Sequence, residues 1–237
     1  MDSRKKVKLS LILKTLVVIF TVLGVGLSYH YGYAKHYKCF LYFTQQSNLM
    51  IGLVDFIMIF LLVKMLKHND YKISKKMLII YEVFSTGILL TGIVFCFILT
   101  PAFLISGDTI SEIEWDTYVY PSIIMHVIVP ILALLDILLT LRTDKLNKKD
   151  SLWAMLFPLA YFIFATICYL CNVDFNKGEN YPYFFLNYAS PAGIFGFSNV
   201  APYFIGSAYW IIIGFSMVAL ISLGLIAITN RFSRKYK

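Results

Sequence analysis

The sequence predicts an all-α, polytopic membrane protein of six transmembrane helices with both termini cytoplasmic. Three observations lead there. Of 237 residues, 59% are hydrophobic and only 14% charged, and the mean hydropathy is +0.74. That is more apolar surface than a soluble domain of this size can bury. Six stretches reach the roughly 20 residues needed to cross a hydrocarbon core about 30 Å thick. Basic residues also concentrate on one set of connections: sixteen fall at the N-terminus, in two loops and in the tail, against Lys35, Lys38 and Lys177 in the other loops. This is the positive-inside pattern. It assigns the +8 net charge to topology and headgroup contact rather than to nucleic acid, with the cell membrane as location and its lipids as partners.

The spans are expected at about 9–29, 39–66, 78–105, 118–141, 152–172 and 203–229. Arg4, Lys5, Lys6 and Lys8 precede LSLILKTLVVIF, an arrangement that resembles a signal peptide. The apolar run continues to about residue 29 without a clean small-residue cleavage site, so an uncleaved first span is expected. The second span opens with a polar run in LYFTQQSNLM and carries Asp55. On a helix, Thr44, Ser47, Asn48 and Asp55 form one stripe, while Gln45 and Gln46 point elsewhere. A central helix facing protein or water is expected there, because such residues are costly against lipid. The third span carries Glu82, a small surface of Ser85, Thr86, Gly87, Thr91 and Gly92, and Pro101 near its end. These predict close packing and a kink.

The fourth span, YPSIIMHVIVPILALLD, contains the only intramembrane histidine. Ser122, His126 and Pro130 share a face, and Pro130 leaves a backbone carbonyl free. The fifth holds Pro158 and a Cys168/Cys171 pair with neither a second pair nor a nearby histidine. They are read as small hydrophobes, and no metal or cofactor is implied. The outer connection 173–202 is long and aromatic, including Tyr181, Tyr183, Phe184 and Phe185. It reads either as an interfacial belt or as a lid over 181–202 above a cavity opening outward. No repeat relates the two halves, as inverted-repeat transporters would have.

Spans two and four run in the same direction, and Thr44 and His126 both fall about 9 Å below their outer boundaries. A threonine hydroxyl becomes a nucleophile when a base takes its proton, and a buried neutral imidazole can do so. Ser47, Asn48, Ser122, Tyr181 and Tyr183 are the candidates to line the site and orient the pair. Asp136 lies about 15 Å deeper than His126, too far to assist. The alternative is that Thr44 and His126 are helix-packing residues. Asp55, Glu82 and Asp136 fall at one inner level. They are expected to pair with Lys64, Lys76 or Arg142 near the headgroups, or to form a proton relay or cation site.

The segments LYFTQQSNLM, MHVIVPILALLD and YPYFFLN, in that order, resemble the androgen-induced and androgen-dependent TFPI-regulating membrane proteins. They resemble still more their bacterial integral membrane relatives, in which a Phe-Thr-x-x-Ser-Asn run recurs. The resemblance covers roughly residues 38–200. It implies a multi-span hydrolase that cleaves fatty-acid esters of hydroxy fatty acids, with Thr44 and His126 matching the family's intramembrane threonine and histidine. The human members are largely apolar after the threonine, whereas this chain has Gln45, Gln46, Ser47 and Asn48, so a more polar pocket is expected. The expected function is an intramembrane threonine hydrolase acting on a lipid ester, with Asn48 or Ser47 holding the oxyanion or the histidine. A transporter using the buried carboxylates and a non-catalytic lipid-binding protein are the alternatives.

Overall fold

The computed structural model describes residues 3–34, 36–68, 71–105, 120–139 and 145–234. The acidic residues of 106–117, the start of the fourth span, Arg142, and Lys235 and Lys237 lie outside the described residues. Within them the chain is all-helical, and six helices are long and apolar enough to cross a membrane. They are α1 (Arg4–Tyr31), α2 (Phe43–Lys67), α3 (Lys75–Ile105), α4 (Tyr120–Leu138), α5 (Lys148–Leu170) and α6 (Ser207–Arg231). The molecule is an integral membrane protein. Large apolar side chains such as Val22, Leu53, Phe60, Ile163 and Leu220 stand on its outer surface, where lipid rather than water is the solvent.

Several boundaries differ from expectation for local reasons. Residues His36–Leu41 form a 3-10 turn, so α2 begins at Phe43 and Thr44 is only its second residue. The start of α5 is also 3-10, over Lys148–Met155, and becomes α-helical at Leu156. Pro158 sits in that first α turn, where its missing N–H costs least. Asp150 caps the start of α5 by accepting the Asn147 N–H at 2.7 Å. At the other end Asn172, with φ 51°, supplies the left-handed residue that closes the helix.

The hub of the bundle is α3, not α2. It packs on α2, α4, α5 and α6, and Ser85–Gly92 are buried without interruption. The small side chains there let four neighbours approach. The N-terminal end of α2 is enclosed on several sides, but Leu53, Phe56, Ile57 and Phe60 are on the surface of the bundle. α1 lies along α2 and α4, with α1 and α2 so close at Gly52 that an added Cβ would stand 2.8 Å from Thr21 Cγ2.

The half of the bundle away from Thr44 and His126 is organised by a buried charge cluster that corrects the expected pairing. Lys14 Nζ on α1 lies 2.7 Å from Asp55 Oδ1 and 2.6 Å from Asp136 Oδ2, all three side chains wholly buried. Ser10 and Tyr81 donate hydroxyl bonds to Asp136, and the ammonium sits 3.6 Å over the Tyr81 ring. Lys64 instead lies over the Tyr71 ring, and Lys76 is exposed. Asp55 and Asp136 therefore do not reach the headgroups. Glu82 is buried as well, one residue past Tyr81 and so about 100° round the helix. Such ions are tolerated away from water only when paired and hydrogen-bonded.

Candidate functional site

Thr44 and His126 are brought together near the N-terminal ends of α2 and α4. Thr44 Oγ1 lies 3.1 Å from His126 Nε2, and His126 Nδ1 lies 2.9 Å from the Ser122 carbonyl oxygen. A carbonyl only accepts, so Nδ1 carries the ring proton and Nε2 presents its lone pair. The Thr44 hydroxyl must then donate to Nε2. This is the polarity a general base needs. The ring is clamped on its face by Phe95, stacked at 3.9 Å between centroids and 17° between planes.

The helix geometry that aims these groups is irregular in two matched places. α3 contains a π-turn at Phe95–Leu99 and α4 one at Ile124–Ile128. Each ends two residues before a proline, Pro101 and Pro130. A proline offers no N–H to the carbonyl four residues back, and the wider turn accommodates the loss. In α4 that carbonyl belongs to His126. It abuts Gly92, where an added Cβ would stand 3.0 Å from both His126 O and Pro130 Cβ. The prolines thus mark the two turns that carry Phe95 and His126.

The N-terminus of α2 lacks a side-chain cap at Tyr42. The Tyr183 hydroxyl stands near this end of the helix, close to the Thr44 side chain and the Phe43 and Thr44 amides. Burial pushes the Tyr183 phenol up, against the pull of Thr44 and the two amides, so it stays protonated. Tyr161 completes this corner, donating to the Leu41 carbonyl at 3.1 Å.

Beside Thr44 lies a cavity of about 120 Å³ bounded by α3, α5 and α6, and walled by side chains such as Leu90, Val94, Phe162 and Phe215. Its walls are almost wholly apolar, which overturns the expectation of a more polar pocket. The polar run of α2 turns away from it: Gln45 donates to Ser28 on α1 and Gln46 to the Phe40 carbonyl. Ser47 is bonded to Thr91 at 2.7 Å. Asn48 Nδ2 donates to the Thr44 and Met125 carbonyls at 2.8 and 3.3 Å. Both Asn48 protons are therefore in use, so it ties the α2 backbone to α4 rather than offering a donor to an oxyanion.

The expected orienting residues divide accordingly. Ser122 orients the ring through its backbone carbonyl, Tyr183 reaches Thr44, and Tyr181 instead donates to Glu179 at 3.1 Å. The roof of the cavity is narrower than 181–202. Tyr183, Phe185 and Leu186 line it, whereas Phe195 and Phe197 are each 73% exposed. Three residues escaped the sequence reading. Lys14 had a signal, a lone base inside LSLILKTLVVIF, and Tyr161 a weaker one. Phe95 had none among 20 phenylalanines. Asp55 and Asp136 lie about 15 Å deeper than the Thr44–His126 pair and take no part in it. The described residues contain no group of three or more His, Cys, Asp or Glu able to hold a metal. Compared with known proteins, the chain matches no family model, no curated protein and no solved structure.

Proposed function

We propose that this protein is an intramembrane threonine hydrolase that cleaves a lipid ester, and a relative of the androgen-induced and androgen-dependent TFPI-regulating membrane proteins its motifs resemble. The observation that carries the reading is the polarity of the Thr44–His126 contact beside an apolar cavity. Thr44 Oγ1 attacks the ester carbonyl carbon while its proton passes to Nε2. The negative charge that develops on the carbonyl oxygen is met by the Tyr183 hydroxyl and by the positive end of the α2 dipole. The imidazolium then protonates the departing alkoxide, leaving an acyl-threonine. Water, deprotonated by His126, releases the acid and restores Thr44. The Ser122 carbonyl accepts a hydrogen bond from Nδ1–H throughout, in the position a carboxylate holds in a triad. With both termini cytoplasmic, the site lies in the outer-leaflet half, at the depth of lipid ester groups.

The test is fluorophosphonate labelling of the wild type, Thr44→Ala and His126→Ala in membranes, at matched monodisperse expression. Threonine displaces fluoride from phosphorus and its proton goes to His126, so both variants are expected to lose the label. Labelling that persists in Thr44→Ala overturns the reading. A second reading, proton- or ion-coupled transport, is favoured by one feature: Asp55 Oδ2 is buried with no hydrogen-bond partner among the described residues. It predicts pH-dependent uptake that Asp55→Asn abolishes and Thr44→Ala leaves intact.

A further inference from the structure

One residue in the wall of the cavity beside Thr44 presents no side chain. Its lining includes Phe43, Leu90, Val94, Tyr161, Phe162 and Phe215, and among them stands a single glycine, Gly214 of α6. An added Cβ at Gly214 would meet no atom within 4 Å. Glycines inside membrane helices usually mark a close helix contact, as Gly52 and Gly92 do here. Gly214 has no such contact, and a mid-helix glycine costs about 1 kcal/mol relative to alanine. What it provides is space in the cavity.

The shape of that space indicates its occupant. Polar groups gather at one end, at Thr44, Thr91 and the two tyrosine hydroxyls, and the rest is aromatic and aliphatic. Phe43, Leu90, Tyr161 and Val218 near Thr44 are buried, whereas Leu99, Phe162, Ile211 and Phe215 are only half-buried. Tyr183, Phe185 and Leu186 close the outer side. The way in is therefore lateral, between α3, α5 and α6, from the bilayer. An acyl chain fits this gradient, its carbonyl at Thr44 and its methylenes toward the lipid. We infer that Gly214 determines acyl-chain specificity: the acyl chain of the ester enters from the bilayer between α3, α5 and α6 and passes over Gly214, whose missing side chain sets the length accepted. This rests on the hydrolase reading above.

The test uses full-length protein in lipid nanodiscs and two alkyl fluorophosphonates, one with an ethyl chain and one with a dodecyl chain. Gly214→Leu should slow dodecyl labelling about tenfold or more while ethyl labelling stays near the wild-type rate, the discrimination expected of a blocked apolar pocket. Gly224→Leu is the control. It lies on the same helix with an equally open Cβ position but off the cavity, and should label like the wild type with both probes. Dodecyl labelling of Gly214→Leu at the wild-type rate overturns the inference, as does equal loss of both probes. Labelling of Thr44→Ala by either probe overturns the hydrolase reading instead. A diazirine palmitate crosslink gives an answer independent of turnover. It should form in the wild type and in Thr44→Ala and be lost in Gly214→Leu, and its persistence there refutes the role of Gly214.

Discussion

Thr44 and His126 belong to a directional chain of hydrogen bonds, from Thr44 to His126 to the Ser122 carbonyl, with Tyr183 beside Thr44. Each link makes a different variant informative. Thr44→Val removes the hydroxyl at nearly constant shape and should abolish labelling, while Thr44→Ser should retain it. Tyr183→Phe deletes a donor at the developing oxyanion and should lower the labelling rate by about a hundredfold, the usual scale for one such donor. Ser122→Ala should change the rate little, since the acceptor is backbone. Relative labelling rates of the purified variants test all four. Asn48 and Ser47 looked like site residues because they share a stripe with Thr44. The stripe fixes only the direction from one helix axis. What stands in that direction is Thr91 and the α4 backbone.

The elements are shaped by their prolines. If Pro130 holds the π-turn in α4, Pro130→Ala supplies an N–H to the His126 carbonyl and allows a regular α-helix. Losing one residue of bulge turns everything N-terminal to it by about 100° relative to the rest, carrying the His126 ring away from Thr44. Labelling should fall about tenfold or more, since small misplacement of a base is costly, with the thermal midpoint changed far less. Gly92 is the complementary position. Gly92→Val would put side-chain atoms against the His126 carbonyl and Pro130, so α4 must move outward, and both activity and thermal stability should drop. The sequence exposed Pro101 as a kink and Pro130 as a residue that frees a backbone carbonyl. It did not reveal the widened turn, because that choice depends on the packing of Phe95 against His126.

At the scale of the molecule, the buried Lys14–Asp55–Asp136 cluster joins α1, α2 and α4. Lys14→Met leaves two carboxylates without their cation and should cost about 3–5 kcal/mol, read as a large loss of thermal midpoint in detergent. The triple variant Lys14→Met, Asp55→Leu, Asp136→Leu should recover much of it, because an apolar cluster has no ions to desolvate. At the other end of the bundle Lys38 and Asp174 pair at 2.7 Å and tether the turn before α2 to the loop that roofs the cavity. Hydrogen bonding to Lys38 holds the Asp174 carboxyl low, and hydrogen bonding to Asp174 holds Lys38 high. The tether is therefore lost only as pH falls through the depressed carboxyl value or rises through the elevated lysine value. Roof seating should be constant between about pH 4 and pH 10. Trp210, packed on Phe184 and Phe185, reports it by fluorescence once Trp115 and Trp153 are Phe.

Composition and hydropathy alone settled the class, the number of spans and their order, because a bilayer imposes length and apolarity residue by residue. The depth match of Thr44 and His126 was legible too, although α2 starts later than expected, because counting residues along neighbouring spans measures depth. Tertiary structure decided which base meets the carboxylates, which way the polar run of α2 faces and how apolar the cavity is. Each of these depends on the rotation of one helix against another. That rotation is set by small-residue contacts at Gly52 and Gly92 and by the phase of two proline-linked π-turns, and a one-dimensional periodicity carries neither.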